Sequence, residues 1–491
     1  MRSARVRALR LSSSKMPGFD RIGDDEVSVR KNGVAVVSAS CLGFIGILLG
    51  ASLVVTFPTL MRQFAVPLAV VQWLSAGYYL AATITMSTTA YLMKRMALRQ
   101  LFLTAGVLFI PGCLLSAVAP SFSVLLVGGL LCAVATGLAT PLMYQVVFAV
   151  IPQTEFGKYN GIVTMIKSFG PAFGPAYGGL LAYWLSWRVL FLGVLPLLAL
   201  ALVAGMRTLP ATRPVVKETA KFNWGGLLFF GGLLVTVSLA INQVGAHYHH
   251  LTIAGMFLLA AVVCGGLLTV NLRHSSRQYL NLGLLKRPVV ALRAACFFGL
   301  QFVNLSLVFV VPLYAEVVLH YNSLVAGFLL LPGAVLGALL SPLAGRLYDV
   351  RGGFFTLMLA SVLLFSGTVL YCGLFRWLNV GLIIGIYVIF RLGYTFGFGN
   401  IITDAGKYVP QNERGGVSSL FNVFQQYAGT IGTNVAASIE AALEACGVTS
   451  TVALLRGGQW DLLLLVVMTV VIMLLVGISR RFTKAPANRE E

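Results

Sequence analysis

Apolar residues in this chain fall in long, nearly unbroken runs separated by short polar segments. The pattern is neither the strict alternation of a half-buried strand nor the narrow stripe of a water-facing helix. The runs cover 34–60, 71–93, 100–118, 123–150, 159–183 and 188–206, then 225–244 and 251–272, then 290–319, 324–347, 354–375, 379–403, 417–442 and 461–478. Each is close to the roughly 20 residues that a helix needs to cross a hydrocarbon layer about 30 Å thick. Backbone polar groups in lipid must bond within their own segment, so the runs read as helices. The predicted fold class is therefore all-α integral membrane, with 14 transmembrane helices. They fall into two six-helix bundles related by pseudo-twofold symmetry, at 34–206 and 288–480, with two extra transmembrane helices in a linker at 207–287. Residues 1–33 read as a cytoplasmic basic tail and 481–491 as a second cytoplasmic tail.

Composition agrees: 58% of the 491 residues are hydrophobic and only 10% are charged, against about 25% charged in soluble domains. A net charge of +20 raises the possibility of nucleic acid, but the charges lie between the apolar runs, which argues against it. With the amino terminus inside, 28 of the Lys and Arg residues fall in cytoplasmic segments. The external segments hold Arg62, Arg188, Arg376 and Arg456. That is the asymmetry of the positive-inside rule, and it places both termini in the cytoplasm of a multi-pass cell-membrane protein. The basic face suits anionic lipid headgroups. Residues 1–33 contain eight basic residues and no apolar core of a signal peptide. Cys41, Cys113, Cys132, Cys264, Cys296, Cys372 and Cys446 are scattered and form no CxxC, so they read as packing residues. No cofactor or metal site is expected. His247, His249 and His250 share one predicted external loop, where a solvated loop competes with a pH sensor or weak metal site.

Three stretches carry more specific information. The fifth run contains Gly170, Pro171, Gly174, Pro175, Gly178 and Gly179, followed by Leu185-Ser186-Trp187-Arg188. Glycines four apart give a helix a smooth strip that lets a neighbouring backbone approach, and the prolines remove hydrogen bonds and permit bending. After the tenth run comes Gly345, Arg346, Asp349, Arg351 and Gly352. There Asp349 is placed to cap the eleventh helix and pair with Arg346 or Arg351, as a cytoplasmic gate. A worn copy of that loop follows the second run at 90–97, which is the repeat expected of a transporter built from two halves. The third stretch is 49–58, followed by Gln72-Trp73. Together these resemble the major facilitator superfamily, in particular its fourteen-helix drug:proton antiporter branch, across about residues 34–480. The resemblance implies export of hydrophobic or amphipathic compounds by a monomer whose two halves rock around a central site. The chain departs from the family's pattern at three positions: Leu49 where Asp is usual in the first helix, Gly129 where Arg is usual in the fourth, and Lys94 in place of the first loop's Asp.

Charges within hydrocarbon are costly and few. Lys167 lies about 12 Å into the fifth run at 1.5 Å per residue. Either it snorkels to the headgroups, or it binds an anionic group or switches its own proton. Arg391, in the twelfth run, is either a structural tie to backbone carbonyls or part of the transport site. Glu316, Asp404, Glu440 and Glu444 lie near run ends and read as solvated termini, with Glu316 the preferred proton carrier among them. Tyr78, Tyr79, Tyr144, Gln145, Gln301, Asn304, Asn422, Gln425 and Gln426 form a polar and aromatic set suited to a cavity for a large amphipathic ligand. The functional expectation is a secondary active multidrug-type exporter, proton-coupled through Glu316 or Lys167. The alternatives are an uncoupled facilitator, a lipid or metabolite exporter, or a non-transporting membrane sensor. No catalytic constellation is present, so an enzyme is not expected.

Overall fold

The computed structural model describes residues 19–152, 155–211, 222–246, 251–274, 282–410, 414–445 and 450–483. His247, His249, His250 and Cys446 lie outside them, as do 1–18 and 484–491. Among the described residues every regular element is helical. In the first part of the chain these are α1 Phe19–Ser52, α2 Phe57–Phe64, α3 Leu68–Val71, α4 Trp73–Arg95, α5 Leu98–Ala117, α6 Phe122–Val150, α7 Phe156–Trp184, α8 Val189–Gly193 and α9 Leu195–Thr208. Then come α10 Trp224–Ala246 and α11 Leu251–His274. The last part holds α12 Pro288–Val317, α13 Ser323–Phe328, α14 Leu331–Gly373, α15 Val380–Lys407, α16 Arg414–Ala445 and α17 Ser450–Thr483.

The breaks between helices have local causes. Pro67 holds an extended backbone before α3, and Pro288 opens α12, at a position where its missing N–H goes unneeded. The Asn322 side chain accepts from the Val325 N–H at the start of α13, and Asn379 accepts from Leu382 at the start of α15. Eleven helical stretches among the described residues are long and apolar enough to cross a membrane. One of them, Ser323–Gly373, runs 51 residues, more than twice the hydrocarbon thickness at 1.5 Å per residue. It turns at Gly352, whose φ of 82° and ψ of 167° belong to a region that essentially only glycine occupies. The predicted loop at 345–352 is therefore helical up to its last residue, where the chain reverses.

Two other boundaries differ from the hydropathy reading. Helix α1 starts at Phe19 rather than near 34. Helix α17 starts at Ser450, well before 461, so Asp461 lies inside it rather than at its head.

Buried apolar side chains form two principal clusters. One is drawn mostly from α1–α9, with Leu42, Phe102, Phe109 and Leu142 fully enclosed. The other comes from α12–α17, around Phe297, Phe390 and Phe421. Helix α11 presents Met256, Leu259 and Val262 outward, as a lipid-facing helix should. Helix α10, the first of the two linker helices, has one face on both halves: Phe230 and Leu234 pack with Leu80 of α4 and Val423 of α16.

Candidate functional site

Between the two clusters lies a cavity of about 30 Å³, lined by Ile47, Tyr79, Met86, Thr140, Lys167, Pro171, Gln301, Asn304, Leu305, Tyr394, Gln425 and Gln426. Helices from both halves contribute, and the lining contains no carboxylate. A drug-sized ligand needs roughly 300–1,000 Å³, more than this cavity offers as it stands. Lys167 is only 6% exposed. Its Nζ donates to Asn422 Oδ1 at 2.8 Å and to Gln425 Oε1 at 3.0 Å, and it stands 5.7 Å from the centre of the Tyr144 ring. The amine thus reaches across to α16 instead of snorkelling to the headgroups. Arg391, 4% exposed, donates from Nη1 to Asn304 Oδ1 at 3.0 Å and lies 4.4 Å from the Tyr394 ring centre. It bonds a side-chain amide where a backbone carbonyl was one expectation, and its Nε has no hydrogen-bond partner among the described residues. Gln301 Nε2 donates to the Tyr394 hydroxyl at 3.0 Å.

Of the predicted cavity residues, Tyr79, Gln301, Asn304, Gln425 and Gln426 line the cavity, while Asn422 and Tyr144 hold its lysine. Tyr78 does not belong to it. Its hydroxyl bonds the Gly46 carbonyl at 2.8 Å and Thr136 Oγ1 at 2.7 Å, tying α4 to α1 and α6. Gln145 is exposed and outside the lining, a residue off the helix face that Tyr144 occupies. Leu49 is fully buried in apolar contacts, and a Cβ on Gly129 would meet Leu74 at 3.2 Å. The positions of the family's usual Asp and Arg are thus occupied by packing.

The small-residue strip of α7 is used on two sides. A Cβ on Gly170 would lie 2.6 Å from Ile47, one on Gly174 would collide with Ala51, and one on Gly178 would lie 2.6 Å from the Ser52 carbonyl, so this face seats α1. On the other side Gly179 meets the Ser323 carbonyl and Gly327, while Gly327 in turn meets the Pro175 carbonyl. This backbone-to-backbone seam joins the halves at the predicted external end. Nearby, Trp187 Nε1 donates to Gln63 Oε1 at 2.7 Å and Arg188 donates to the Ala119 carbonyl at 3.1 Å.

At the predicted cytoplasmic end, Arg346, Asp349, Arg351 and Gly352 are exposed and Gly345 is half-buried. Asp349 makes no ion pair among the described residues, and Arg351 lies over the Phe355 ring at 4.9 Å instead. The ionic contact at this end is one that the sequence reading missed. Arg293 Nε lies 2.6 Å from Asp404 Oδ2, Arg293 Nη1 donates to Ser479 at 3.0 Å, and the Tyr348 hydroxyl donates to Asp404 Oδ1 at 2.8 Å. Asp404 is therefore buried and paired, in contrast to the expected solvated terminus, because α12, α14, α15 and α17 converge over it. Glu440 is also fully buried: Gly457 of α17 seats against its Cγ, so the end of α16 is covered. One turn beyond Gly457, Asp461 is 2% exposed, with neither carboxylate oxygen hydrogen-bonded among the described residues. Glu316 is half-buried at the far end of α12, with Arg62 as its charged neighbour, and it is remote from the cavity lining. The side chain of Glu444 is outside the described set.

Two helical halves flank a cavity that draws residues from both, and eleven described stretches are long and apolar enough to cross a membrane, which places the chain among polytopic membrane proteins. Comparison with known proteins gives the family. Residues 39–433 match the Major Facilitator Superfamily, and the chain belongs to it. It is 30% identical over 425 residues to the lincomycin resistance protein LmrB of Bacillus subtilis, covering 83% of this chain and 85% of that protein. It is 26% identical over 314 residues to a multidrug resistance protein B homolog of Mycobacterium tuberculosis, covering 63% and 57%. Among solved structures, the POT family transporter PepTSo superposes with a TM-score of 0.66 over 92% of this chain and 98% of that one, at 14% identity, which speaks to fold alone. The chain is thus a multi-pass member of the superfamily with multidrug-exporter relatives.

Proposed function

We propose that this transporter exports small amphipathic molecules across the plasma membrane by alternating access. In this reading it is a monomer that crosses the bilayer fourteen times with both termini cytoplasmic and draws on the proton gradient. The count takes Ser323–Gly373 as two crossings divided at Gly352 and adds α7 and α16, of 29 and 32 residues. The observation that carries the reading is the central cavity, which mixes Tyr79, Met86 and Leu305 with four amides and one cation. That combination suits a ligand with an apolar body and a polar head. A backbone seam lies on one side of the cavity and the Lys167 hydrogen bonds reach across it. Releasing one while keeping the other would expose the site to alternate faces. The resistance functions in the relatives' names support export.

A second reading, an uncoupled facilitator or lipid or metabolite exporter, is favoured by one observation. Leu49 fills the usual carboxylate position with an apolar, fully buried side chain. Uptake into inverted vesicles with and without an imposed proton gradient separates the two. Accumulation above equilibrium that collapses with an uncoupler supports coupling. Equilibration indifferent to the gradient selects the facilitator, and no protein-dependent flux of any amphiphile removes both.

A further inference from the structure

The charges around the cavity are of one sign. Lys167 is held by two amide oxygens, which orient an ammonium but carry no compensating charge. An ammonium has three donors, and two are used here. Arg391 stands immediately behind Asn304 and Tyr394, both lining residues, with one bond to Asn304 Oδ1 and an unpartnered Nε at 4% exposure. No carboxylate among the described residues pairs with either. At 1.5 Å per residue, Glu316 is roughly 18 Å along α12 from Asn304, Asp404 roughly 15 Å along α15 from Tyr394, and Glu440 roughly 22 Å along α16 from Gln425. Asp404 is in addition already committed to Arg293. A buried cation without a counter-ion is retained where a ligand supplies one.

The geometry points to an amphipathic anion as the transported species, with its carboxylate, sulfonate or phosphate head on Lys167 and Arg391 and its apolar body against Ile47, Met86, Leu305 and Tyr79. This rests on the transporter reading above and narrows its substrate class. The anion replaces the Asn422 and Gln425 oxygens on the Lys167 ammonium. The bonds that join α7 to α16 are thereby exchanged for bonds to the substrate, and loading loosens the contact between the halves.

The test uses the full chain, purified and reconstituted. Transport of an amphipathic aryl sulfonate is compared with that of a quaternary ammonium dye of matched size, for wild type, Lys167→Gln, Lys167→Arg and Arg391→Gln. Binding is read separately as thermal stabilisation by the sulfonate in detergent. The expected result is sulfonate transport in preference to the cation. Lys167→Gln and Arg391→Gln should each raise KM for the sulfonate roughly ten- to a hundred-fold, the range of one charge-assisted hydrogen bond, and Lys167→Arg should retain much of the wild-type KM. Neither Gln variant should raise KM for the cation. Preference for the cation, or sulfonate KM unchanged in both Gln variants, overturns the anion site and leaves the exporter standing. Sulfonate stabilisation lost in both Gln variants, without transport of either probe by wild type, keeps the anion site and removes the exporter. Absence of both stabilisation and sulfonate transport in wild type overturns the proposal.

Discussion

The Arg293–Asp404 pair gives the sharpest numerical expectation. Asp404→Asn keeps the side-chain volume but leaves the guanidinium, 1% exposed, with an amide oxygen in place of a carboxylate 2.6 Å away. Ser479 remains as a second acceptor, but it brings no charge. Breaking a buried pair from one side costs about 3–5 kcal/mol, because the desolvation of the remaining charge is no longer offset. Removing both charges is a different matter. Arg293→Met with Asp404→Leu should be near neutral, since the pair's attraction roughly cancels its own desolvation. Tyr348→Phe, which deletes one donor to Asp404, should cost about 1–1.5 kcal/mol. The assay is unfolding of the purified protein in mixed micelles with increasing SDS, followed by tryptophan fluorescence, for Asp404→Asn, Tyr348→Phe, and the cycle of Arg293→Met, Asp404→Leu and their double. The coupling energy from this cycle should be several kcal/mol. An Asp404→Asn variant within about 1 kcal/mol of wild type, or a double variant no better than the worse single, would refute the assignment of this cluster as the tie among α12, α14, α15 and α17.

Three further outcomes are expected. Gly179→Leu should abolish transport at normal membrane abundance, since its Cβ has no room beside Ser323 and Gly327; a thiol reagent should then label Ser323→Cys faster than in the parent, and unchanged labelling would show that the seam closes regardless. Asp461→Asn should leave unfolding within about 0.5 kcal/mol or raise stability, because a buried carboxyl with no hydrogen-bond partner contributes nothing that an amide loses. If that carboxyl carries the coupled proton, gradient-driven accumulation disappears while equilibration persists, and accumulation equal to wild type excludes it. Leu49→Asp, which restores the family's usual residue, should reduce stability by more than about 2 kcal/mol without improving coupling, as Leu49 is fully enclosed by apolar neighbours; a stable variant with stronger gradient dependence would contradict this.

The helical runs, the glycine strip and the depth of Lys167 were all legible in the sequence, because each depends on composition or spacing along one segment. The cavity was partly legible. Gln301, Asn304, Gln425 and Gln426 stand out as amides in apolar helices, whereas Thr140, Met86 and Tyr394 look like ordinary membrane-helix residues until packing turns them inward. Tyr78 and Tyr79 are adjacent and chemically alike, and helix rotation sends one to Thr136 and the other to the cavity. Asp404 and Glu440 were misplaced for a common reason: distance from a run's end measures exposure only when nothing packs over that end. Arg293 and Asp404 are separated by 111 positions, and no local pattern announces such a pairing. The missing signal was a lone arginine, Arg293, just inside a span with no local partner.

The seam of Pro175, Gly179 and Gly327 has a mechanical consequence. Between those three residues it is closed by main chain against main chain, without an ion pair, and its nearest side-chain bond is Ser323 to the Gly179 carbonyl at a long 3.5 Å. Contacts of that kind are held by dispersion and by the lateral pressure of the surrounding lipid, not by electrostatics. The rate at which this end opens should therefore be indifferent to ionic strength and sensitive to acyl-chain length. The Lys167 crossing responds to what enters the cavity, so the external seam and the central crossing answer to different features of their surroundings, one to the bilayer and the other to the cargo.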